Sequence, residues 1–383
     1  MSYPLLECLD LDCWDFKAEG FDSIILTWVG PSSSEFYMKT LRLFKNQNEG
    51  YRRGNAKPIS DFTDRVTLLQ NYINIFIRPY LPEVDSGIPV SVTQDFLEKI
   101  AKKIEPSRSD RRRAESQICI TSKVALIHDD HIPPNSLVVE LKPKWGFLPS
   151  CPLIPNDSPK LSISRFQLLQ RSKLKKGEIQ AITKYDPLDL FSGTEEGIKK
   201  AIESLVDNPQ GNLKVFRDQK KSNLDKKETE QFIQLITQNL SKNSLKKLLD
   251  LQYLDVWDIE CLPPIIEKAG DVTWNDLISD QNVINGVKKM MDEKYHLPES
   301  KEEVIKLRDN LTKEEAKIFI TAFCLSQAAK DCSYMILFEN KAIRNPKIFI
   351  IDFDMKMPEF LISNYLKNDK SIVATFIEME SNK

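Results

Sequence analysis

Hydrophobic and polar side chains alternate over several short stretches in the first third of the chain, with the period of two that is typical of half-buried strands. Three closely spaced stretches predict consecutive antiparallel strands at 14–20, 23–27 and 38–44. The pattern also predicts a strand over 117–127 and, from the helical spacing of its apolar residues, a helix over 61–77. These elements predict an N-terminal lobe, residues 1–131, built on antiparallel strands.

The pattern changes after residue 131, where longer helical segments separate a few strongly apolar strands. The predicted strands cover 138–149, 333–338 and 348–351, and the predicted helices cover 158–170, 227–240 and 244–251. Two capping-box signals, Ser300-x-x-Glu303 and Thr312-x-x-Glu315, mark further helix starts, and the second opens an apolar helix that ends near Asp331. We therefore predict a C-terminal lobe, residues 132–383, and an α+β fold of antiparallel sheets with helices.

Composition narrows the class of protein. The chain has 383 residues, a length at which two lobes are typical, and a hydrophobic content of 41% that fits a soluble protein. No apolar run approaches the roughly 20 residues that cross a bilayer, and the chain begins without a basic secretory leader, so no membrane partner is expected. The net charge of −2 argues against electrostatic capture of nucleic acid, so no direct nucleic-acid binding is expected. Seven cysteines without a CxxC motif fit reduced thiols better than a structural zinc site.

The strand that begins at Val138 carries the most specific candidate chemistry. Because side chains of an extended segment alternate, Glu140, Lys142 and Lys144 share one face. Two ammonium groups directed at one spot suit a polyanionic ligand, although a single lysine on a strand more often serves solubility alone. The rigid apolar exit of residues 146–149 favours the ligand, because solubility does not require fixed lysine directions.

The same segment resembles the E-[IL]-K-P-K-x-G-F-[LI]-P signature of the inositol pentakisphosphate 2-kinases, which add the last phosphate of inositol hexakisphosphate. Further segments resemble the family in the same order along the chain. They are Arg165-Phe166, Tyr185 to Gly193, Asn212 to Phe216, Ala329 to Ser333 and Ile351 to Lys356. The resemblance implies a two-lobed inositol phosphate kinase fold, distantly similar to protein kinases, and a reaction that uses ATP and Mg²⁺.

Two late aspartates flank a predicted hairpin, with Asp331 before its first strand and Asp352 after its second. Phosphoryl transfer needs a carboxylate for Mg²⁺ and a base beside the acceptor hydroxyl. The resemblance implies that Asp331 is the base, that Lys142 is also catalytic, and that Asp352 binds Mg²⁺ together with Asp331 and Asp354. On local sequence alone, an aspartate before a strand is more often a cap or turn residue.

For the acceptor, the resemblance implies a ring of cations around a small sugar that carries five phosphates. The implied contacts are Lys142, Lys144, Lys173, Asn212, Lys356 and one arginine of the triplet 111–113, with Arg112 and Arg113 as the candidates. The chain also departs from the family, because Gly211 replaces a neighbouring Asn. Near the C-terminus, Phe360 and either Asn364 or Tyr365 stand where plant-type members have an Arg and a Tyr on the substrate.

The N-terminal lobe holds the residues that the resemblance assigns to ATP: Glu19, Gly20, Arg42, Ile127 and Asp129. Gly20 suits a turn with positive φ or a close approach to phosphate. Arg42 lies inside an apolar strand and needs an anionic partner, either a nearby carboxylate or a nucleotide phosphate. The segment from His128 to His131 suits a metal site or a polar connector that meets adenine, and the connector is favoured.

We expect a monomeric enzyme that converts inositol 1,3,4,5,6-pentakisphosphate into inositol hexakisphosphate, and the family implies the nucleus, with the cytoplasm as a second location. The alternative is an inositol polyphosphate-binding scaffold without turnover. The two aspartates favour the enzyme, because carboxylates that face an anion bring a pure receptor no advantage. A broader multikinase is disfavoured because the chain has no PxxxDxKxG segment.

Overall fold

The computed structural model describes residues 3–6, 10–51, 59–224, 226–240, 242–339, 345–358 and 361–381. Residue contacts group the chain into two units, one of residues 1–71 and 85–133 and one of residues 72–84 and 134–383. The short stretch 72–84, which the sequence pattern does not separate from the first lobe, belongs to the second unit. Within the described residues, every helix is too short or too polar to span a membrane.

An antiparallel sheet forms the framework of the first unit. Its strands are β1 (Trp14–Glu19), β2 (Ser23–Trp28), β3 (Lys39–Gln47), β4 (Ile88–Ser91), β5 (Ser116–Ile118) and β6 (Val124–Asp129). Their order is β1-β2-β3-β6-β4, and β5 pairs separately with the end of β3. The helices are α1 (Thr63–Tyr72), which continues as a π-helical turn over Ile73–Ile77, α2 (Gln94–Ile104) and α3 (Asp110–Glu115). The three predicted N-terminal strands and the helix over 61–77 are confirmed.

The core of the first unit follows from strand alternation and from one amphipathic helix. Trp14, Ile24 and Leu26 are buried on the inner face of the sheet. Helix α2 begins at Thr93, whose hydroxyl accepts a hydrogen bond from the Phe96 amide (3.2 Å), and it adds Phe96 and further apolar side chains to the same core.

One predicted strand differs in detail. Residues 117–127 form the end of β5, a turn and most of β6. The amide of Ser122 donates to the carbonyl of Cys119 (3.1 Å) and closes the turn. Because of this turn, β5 and β6 pair with two different parts of β3, near Lys45 and near Leu41 respectively.

The second unit combines a five-stranded antiparallel sheet with helices. Its strands are β7 (Ser136–Leu141), β8 (Leu213–Arg217), β9 (Lys220–Ser222), β10 (Ser333–Glu339) and β11 (Lys347–Ile351), in the order β11-β10-β7-β8-β9. Its helices are α4 (Arg165–Lys175), α5 (Pro187–Leu190), α6 (Glu195–Asp207), α7 (Lys226–Asn239), α8 (Lys242–Gln252), α9 (Asp258–Cys261), α10 (Pro263–Ala269), α11 (Trp274–Ser279), α12 (Gln281–Glu293), α13 (Lys301–Asn310), α14 (Lys313–Ala329) and α15 (Lys367–Ser381). The predicted α+β class with antiparallel sheets is therefore confirmed.

Helix α14 and strand β10 form the centre of the second unit. The predicted capping box opens α14: the Thr312 hydroxyl accepts from the Glu315 amide (3.1 Å), and the Glu315 carboxylate accepts from the Thr312 amide (2.7 Å). Most side chains of α14 are buried, and β10 is buried from Ser333 to Phe338. Strand β10 pairs on one side with β7 and on the other with β11. This packing fixes the two ends of the hairpin formed by β10 and β11.

The helix predicted over 158–170 begins later than the pattern indicates. The α-helix starts at Arg165 because the hydroxyl of Ser164 caps it, accepting from the amide of Gln167 (3.3 Å). Residues 159–161 form a separate 3₁₀ turn. The later start puts Arg165 in the first turn of α4 and Lys173 in its last turn.

The marker segment from Tyr185 to Gly193 has a structural role. Asp186 caps α5 by accepting from the Leu188 amide (3.0 Å), and the Phe191 ring then packs on the backbone of Gly146. A Cβ atom added at Gly146 would lie 2.2 Å from a carbon of that ring. The glycine is therefore required by close packing beside the signature strand.

Replacing Gly146 by Ala is expected to lower the free energy of unfolding by about 3 kcal/mol, because the added methyl group overpacks against Phe191. Chemical denaturation measures this change. Gly20→Ala is the matched control: a Cβ at Gly20 meets only the Ser23 carbonyl oxygen at 3.8 Å, so its stability should change by less than about 1 kcal/mol. Adding Phe191→Leu to Gly146→Ala should recover part of the loss, and equal losses with and without it would contradict the clash.

Candidate functional site

Two carboxylates lie at the same end of the β10–β11 hairpin. Ser333 pairs with Ile351 in the antiparallel register, so Asp331, just before β10, and Asp352, just after β11, come together. Asp352 adopts a left-handed backbone conformation (φ 60°), and its carboxylate accepts a hydrogen bond from the Ser333 hydroxyl (3.3 Å). Aspartate tolerates this conformation better than most residues.

Among the described residues, three lysines approach these carboxylates. The Nζ atom of Lys144 lies 3.5 Å from Oδ1 of Asp331, and that of Lys356 lies 2.9 Å from its Oδ2. On the other carboxylate, Nζ of Lys142 lies 4.0 Å from Oδ2 of Asp352. The predicted pair of lysines is thus directed at the predicted pair of aspartates, one lysine to each.

The backbone after β7 explains these directions. Strand β7 ends at Leu141, and the Lys142 amide donates to the Asn212 carbonyl (2.8 Å). Lys144 has a positive φ of 62°, so simple alternation does not continue to it. Glu140, which alternation places with the lysines, pairs instead with Lys214 through both carboxylate oxygens (2.9 Å each).

The electrostatics of the cluster favour ionised Asp331. Partial burial opposes ionisation, but Lys356 and Lys144 hold the pKa of Asp331 below its usual value. Burial lowers the pKa of Lys144, with Asp331 offsetting part of that effect. Burial also opposes the charge of Lys356, yet Asp331 raises the pKa of Lys356 above the ordinary lysine value. Burial raises the pKa of Cys332 to about 12, so this neighbouring thiol is protonated at neutral pH and is a poor nucleophile.

A cavity of about 520 Å³ opens beside Asp331 within the second unit. Among the described residues, six cationic side chains line it against one carboxylate, that of Asp331: Lys144, Arg165, Lys173, Lys176, Lys330 and Lys356. Of the predicted acceptor contacts in this unit, Lys144, Lys173, Asn212 and Lys356 all line the cavity. The cavity therefore suits a compact polyanion.

Three of these six cations were not among the predicted contacts: Arg165 on α4, Lys176 just after that helix, and Lys330 just before Asp331. Arg165 and Lys173 are eight residues apart, about two helical turns, which is a signal in the sequence that both face one side. Lys330 gives no such signal in the sequence. In the structure it is 1% exposed, and its charge is paired with Asp255 (2.5 Å) inside the unit.

Beneath the cavity, buried ion pairs hold the helices in place. The Lys160 ammonium donates to Asp258 (2.5 Å) and to Asp369 (2.7 Å), and Asp369 also accepts from Arg165 Nε (2.6 Å). These contacts join α4, α9 and α15, which are far apart in sequence. Breaking one such pair leaves a buried charge without its partner, which is strongly destabilising.

Comparisons with known proteins agree with this geometry. The family model described as inositol-pentakisphosphate 2-kinase matches residues 16–371. The chain belongs to the inositol-pentakisphosphate 2-kinase family. The inositol-pentakisphosphate 2-kinase of Arabidopsis thaliana is 28% identical over 97% of this chain and 95% of its own length. The rice protein of the same name (Oryza sativa subsp. indica) is 28% identical over 95% of this chain and 93% of its own, and the Danio rerio protein is 30% identical over 55% and 44%.

Membership of a kinase family makes the protein a transferase, and the first unit holds the residues predicted for its nucleotide. The Glu19 side chain is only 4% exposed and pairs with Lys45 (2.6 Å) and Arg108 (2.9 Å). Burial opposes its charge, but hydrogen bonds from Arg108 and Lys45 hold the pKa of Glu19 below its usual value. The carboxylate is therefore engaged by cations inside the unit, and the assignment of Glu19 to the nucleotide stays a prediction.

Gly20 and Arg42, two further residues predicted for the nucleotide, both contact Ser23. Gly20 closes the β1–β2 turn through its amide, which donates to the Ser23 carbonyl (2.9 Å). Its φ is not positive, so the first of its two alternatives is wrong, and the close approach to phosphate stays a prediction. Arg42 donates from Nε to the Ser23 hydroxyl (3.0 Å). Among the described residues, no carboxylate lies within ion-pairing distance of Arg42, which favours the phosphate alternative over the internal ion pair.

The end of β6 supplies the remaining predicted nucleotide contacts. Ile127 is half-buried between β3 and β4, and the exposed Asp129 pairs with Lys39 (2.5 Å). The two nearby histidines both contact Asp85, His131 through Nε2 (2.8 Å) and His128 through Nδ1 (3.3 Å). This contact pattern is that of a polar connector, the favoured alternative for this segment.

The arginine triplet lies on α3 in the first unit. Arg112 pairs with Glu115 (3.0 Å), and Arg113 pairs with Asp110 and also donates to the Arg108 carbonyl (2.9 Å). Arg111 pairs with Glu115 as well (2.6 Å). Each arginine thus already has a carboxylate partner in its own helix.

Fewer contacts bear on the predicted Mg²⁺ ligands and on the C-terminal residues that stand where plant-type members contact the substrate. Among the described residues, no three His, Cys, Asp or Glu side chains form a group that could hold a metal ion by themselves. Asp352 and Asp354 are both exposed, and Mg²⁺ commonly uses one or two carboxylates with substrate phosphates and water. Phe360 lies outside the described residues, while Tyr365 lines the cavity and Asn364 is exposed.

Proposed function

We propose that this protein transfers the γ-phosphoryl group of ATP, in the presence of Mg²⁺, to the 2-hydroxyl of inositol 1,3,4,5,6-pentakisphosphate and forms inositol hexakisphosphate. The observation that carries the proposal is the cationic cavity with Asp331 at its edge, held between Lys144 and Lys356. The names of the relatives supply the acceptor and the position of transfer.

The cavity accounts for recognition of a crowded anion. A hydrogen bond between a lysine and a phosphate contributes about 1.5 to 3 kcal/mol, so several are needed to offset the desolvation of five phosphates. Lys144, Lys173, Lys356 and Asn212 are the acceptor contacts within the cavity, and Lys142 lies next to it at Asp352. Arg112 or Arg113 is the contact proposed from the first unit, and it would have to exchange its carboxylate partner for phosphate.

The chemistry is assigned to the residues at the hairpin end. Asp331, ionised at neutral pH, accepts the proton of the acceptor hydroxyl while the hydroxyl oxygen forms the new bond to phosphorus. The bond between the γ-phosphorus and the β–γ bridging oxygen breaks, and ADP leaves with that electron pair. Lys142, whose Nζ lies 4.0 Å from Oδ2 of Asp352, is proposed to stabilise charge on the transferred group.

Asp352 and Asp354, with Asp331, are the carboxylates proposed for Mg²⁺. Asp352 fits this role because its side chain is 51% exposed and its nearest described cation, Lys142, is 4.0 Å away. A bound Mg²⁺ would neutralise charge on the nucleotide phosphates. In the first unit, Arg42 is proposed to bind a nucleotide phosphate, with the Glu19 and Gly20 backbone near the phosphates and Ile127 and Asp129 near adenine.

The test incubates the full chain with ATP, Mg²⁺ and each of a panel of inositol polyphosphates at equal concentration. Phosphate should pass to inositol 1,3,4,5,6-pentakisphosphate and yield hexakisphosphate, whereas hexakisphosphate itself should accept nothing. Tight calorimetric binding of pentakisphosphate without any ATP consumption would instead support a scaffold without turnover. The acidic pair speaks against a scaffold, because carboxylates beside the cavity weaken anion binding. Nuclear location and a monomeric state remain predictions.

The lowered pKa of Lys144 predicts the alkaline side of the pH profile. The ordinary pKa of lysine is about 10.4. Because the pKa of Lys144 is lower, this side chain loses its charge, and with it its attraction for phosphate, before the pH reaches that value. As the pH rises, kcat/KM should therefore begin to fall below about pH 10.4. Lys144→Arg should move this fall to higher pH, because a guanidinium stays protonated. Lys347→Arg, at the exposed first residue of β11, is the control that should leave the profile in place. Identical alkaline limbs in wild type and Lys144→Arg would contradict the assignment.

A further inference from the structure

Trp145 occupies the one position of the signature segment that the family pattern leaves open, and its backbone is held on both sides. The side-chain amide of the buried Gln252 donates to the Lys144 carbonyl (2.9 Å) and accepts from the Gly146 amide (2.8 Å). The close packing of Phe191 on Gly146 fixes the same stretch. Trp145 therefore reaches the cavity wall from a rigid backbone, at little conformational cost.

Two cations of the cavity wall lie against the Trp145 ring. The Lys330 ammonium is 4.0 Å from the ring centroid, and the Arg165 guanidinium carbon is 5.5 Å from it. Both distances are within the range of a cation–π interaction, which is strongest for tryptophan. Each cation also has a carboxylate partner, Asp255 for Lys330 and Asp369 for Arg165.

An aromatic ring affects these cations differently from a carboxylate. A carboxylate cancels positive charge, whereas a ring holds the cation in place and leaves its charge available to an anion. The side chain of Arg165 is 15% exposed, and Arg165 lines the cavity together with Trp145. The ring thus restricts the direction of a cation that can still meet phosphate.

We infer that Trp145 is a positioning residue for the anionic acceptor: its indole ring orients Arg165 at the cavity wall, and it changes environment when a polyphosphate binds. This inference rests on the proposed function, because it takes the cavity to be the acceptor site. It adds a contact that the signature itself does not specify, since the family pattern leaves the position of Trp145 open.

The experiment titrates the full chain with inositol 1,3,4,5,6-pentakisphosphate, without nucleotide, and follows tryptophan emission and calorimetric heat in parallel. The chain has five tryptophans, of which Trp14, Trp257 and Trp274 are buried and Trp28 is half-buried in the first unit. Binding should change the emission of the wild type. Trp145→Phe should keep the heat but lose the change in emission, and the control Trp28→Phe should keep both.

Affinity and kinetics separate positioning from a purely structural role. Trp145→Phe retains an aromatic face and should bind within about threefold of the wild type, whereas Trp145→Leu should bind about tenfold more weakly, with KM raised and kcat little changed. Equal affinity of Trp145→Leu and wild type, with only a lower melting temperature, would overturn the inference. Binding heat with an emission change that survives in Trp145→Phe would overturn it while leaving the proposed function intact. Absence of any binding heat would overturn the proposed function, and the inference with it.

Discussion

The Asp331→Asn variant is expected to lose about a thousandfold in kcat while it binds inositol pentakisphosphate at least as tightly as the wild type. The amide keeps the size of the side chain but cannot take the proton of the acceptor hydroxyl. Removing the carboxylate also frees Lys144 and Lys356 from their partner, at 3.5 Å and 2.9 Å, so the cavity becomes more attractive to an anion. Loss of turnover with retained or improved affinity is therefore the signature of a base.

Steady-state kinetics and calorimetry together test this expectation. Glu339→Gln is a matched control, because Glu339 also pairs with a lysine, Lys347 at 2.8 Å, but at the other end of the β10–β11 hairpin. Its kcat should stay at the wild-type value. If Asp331→Asn turned over at a comparable rate, the assignment of the base would be wrong. A large loss of affinity would point instead to a structural role for Asp331.

Local patterns account for much of the framework. Strand alternation predicts β1, β2 and β3, and the apolar runs predict β10 and β11, because half-buried and buried strands impose these patterns on the side chains. The capping box at Thr312 predicts the start of α14 because its two hydrogen bonds depend only on neighbouring residues. The start of α4 is predicted too early because Ser158 and Ser164 both suit an N-cap. Only the folded backbone selects Ser164.

Long-range contacts account for what the sequence could not predict. The partners of Glu19 include Arg108, 89 positions away, and Arg165 meets Asp369 from 204 positions away. No spacing rule connects such residues, because their proximity is set by how sheets and helices pack. The positive φ of Lys144 could not be predicted from the sequence either, because lysine has no preference for that conformation. The resemblance to a family supplied the pairing of lysines with aspartates that local patterns could not.

The Asp352→Asn variant should show the second large effect, a fall of about a hundredfold or more in kcat/KM together with a higher Mg²⁺ concentration for half-maximal activity. An amide is a weaker ligand for Mg²⁺ than a carboxylate, so the loss should shrink as Mg²⁺ is raised. Asparagine is the informative replacement because Asp352 has a φ of 60°, which asparagine also adopts readily. Alanine would add a backbone cost of about 1 to 2 kcal/mol and confuse metal binding with stability.

The comparison for this variant is Asp354→Asn, which changes the second exposed aspartate, two residues further along the chain. Because Asp352 accepts the Ser333 hydroxyl (3.3 Å) and lies beside Lys142, we expect Asp354→Asn to shift the Mg²⁺ dependence less than Asp352→Asn. Denaturation curves of both asparagine variants should overlay that of the wild type. An Asp352→Asn enzyme that reached wild-type kcat at the same Mg²⁺ concentration would remove Asp352 from the proposed metal site and leave Asp331 and Asp354 as its candidate ligands.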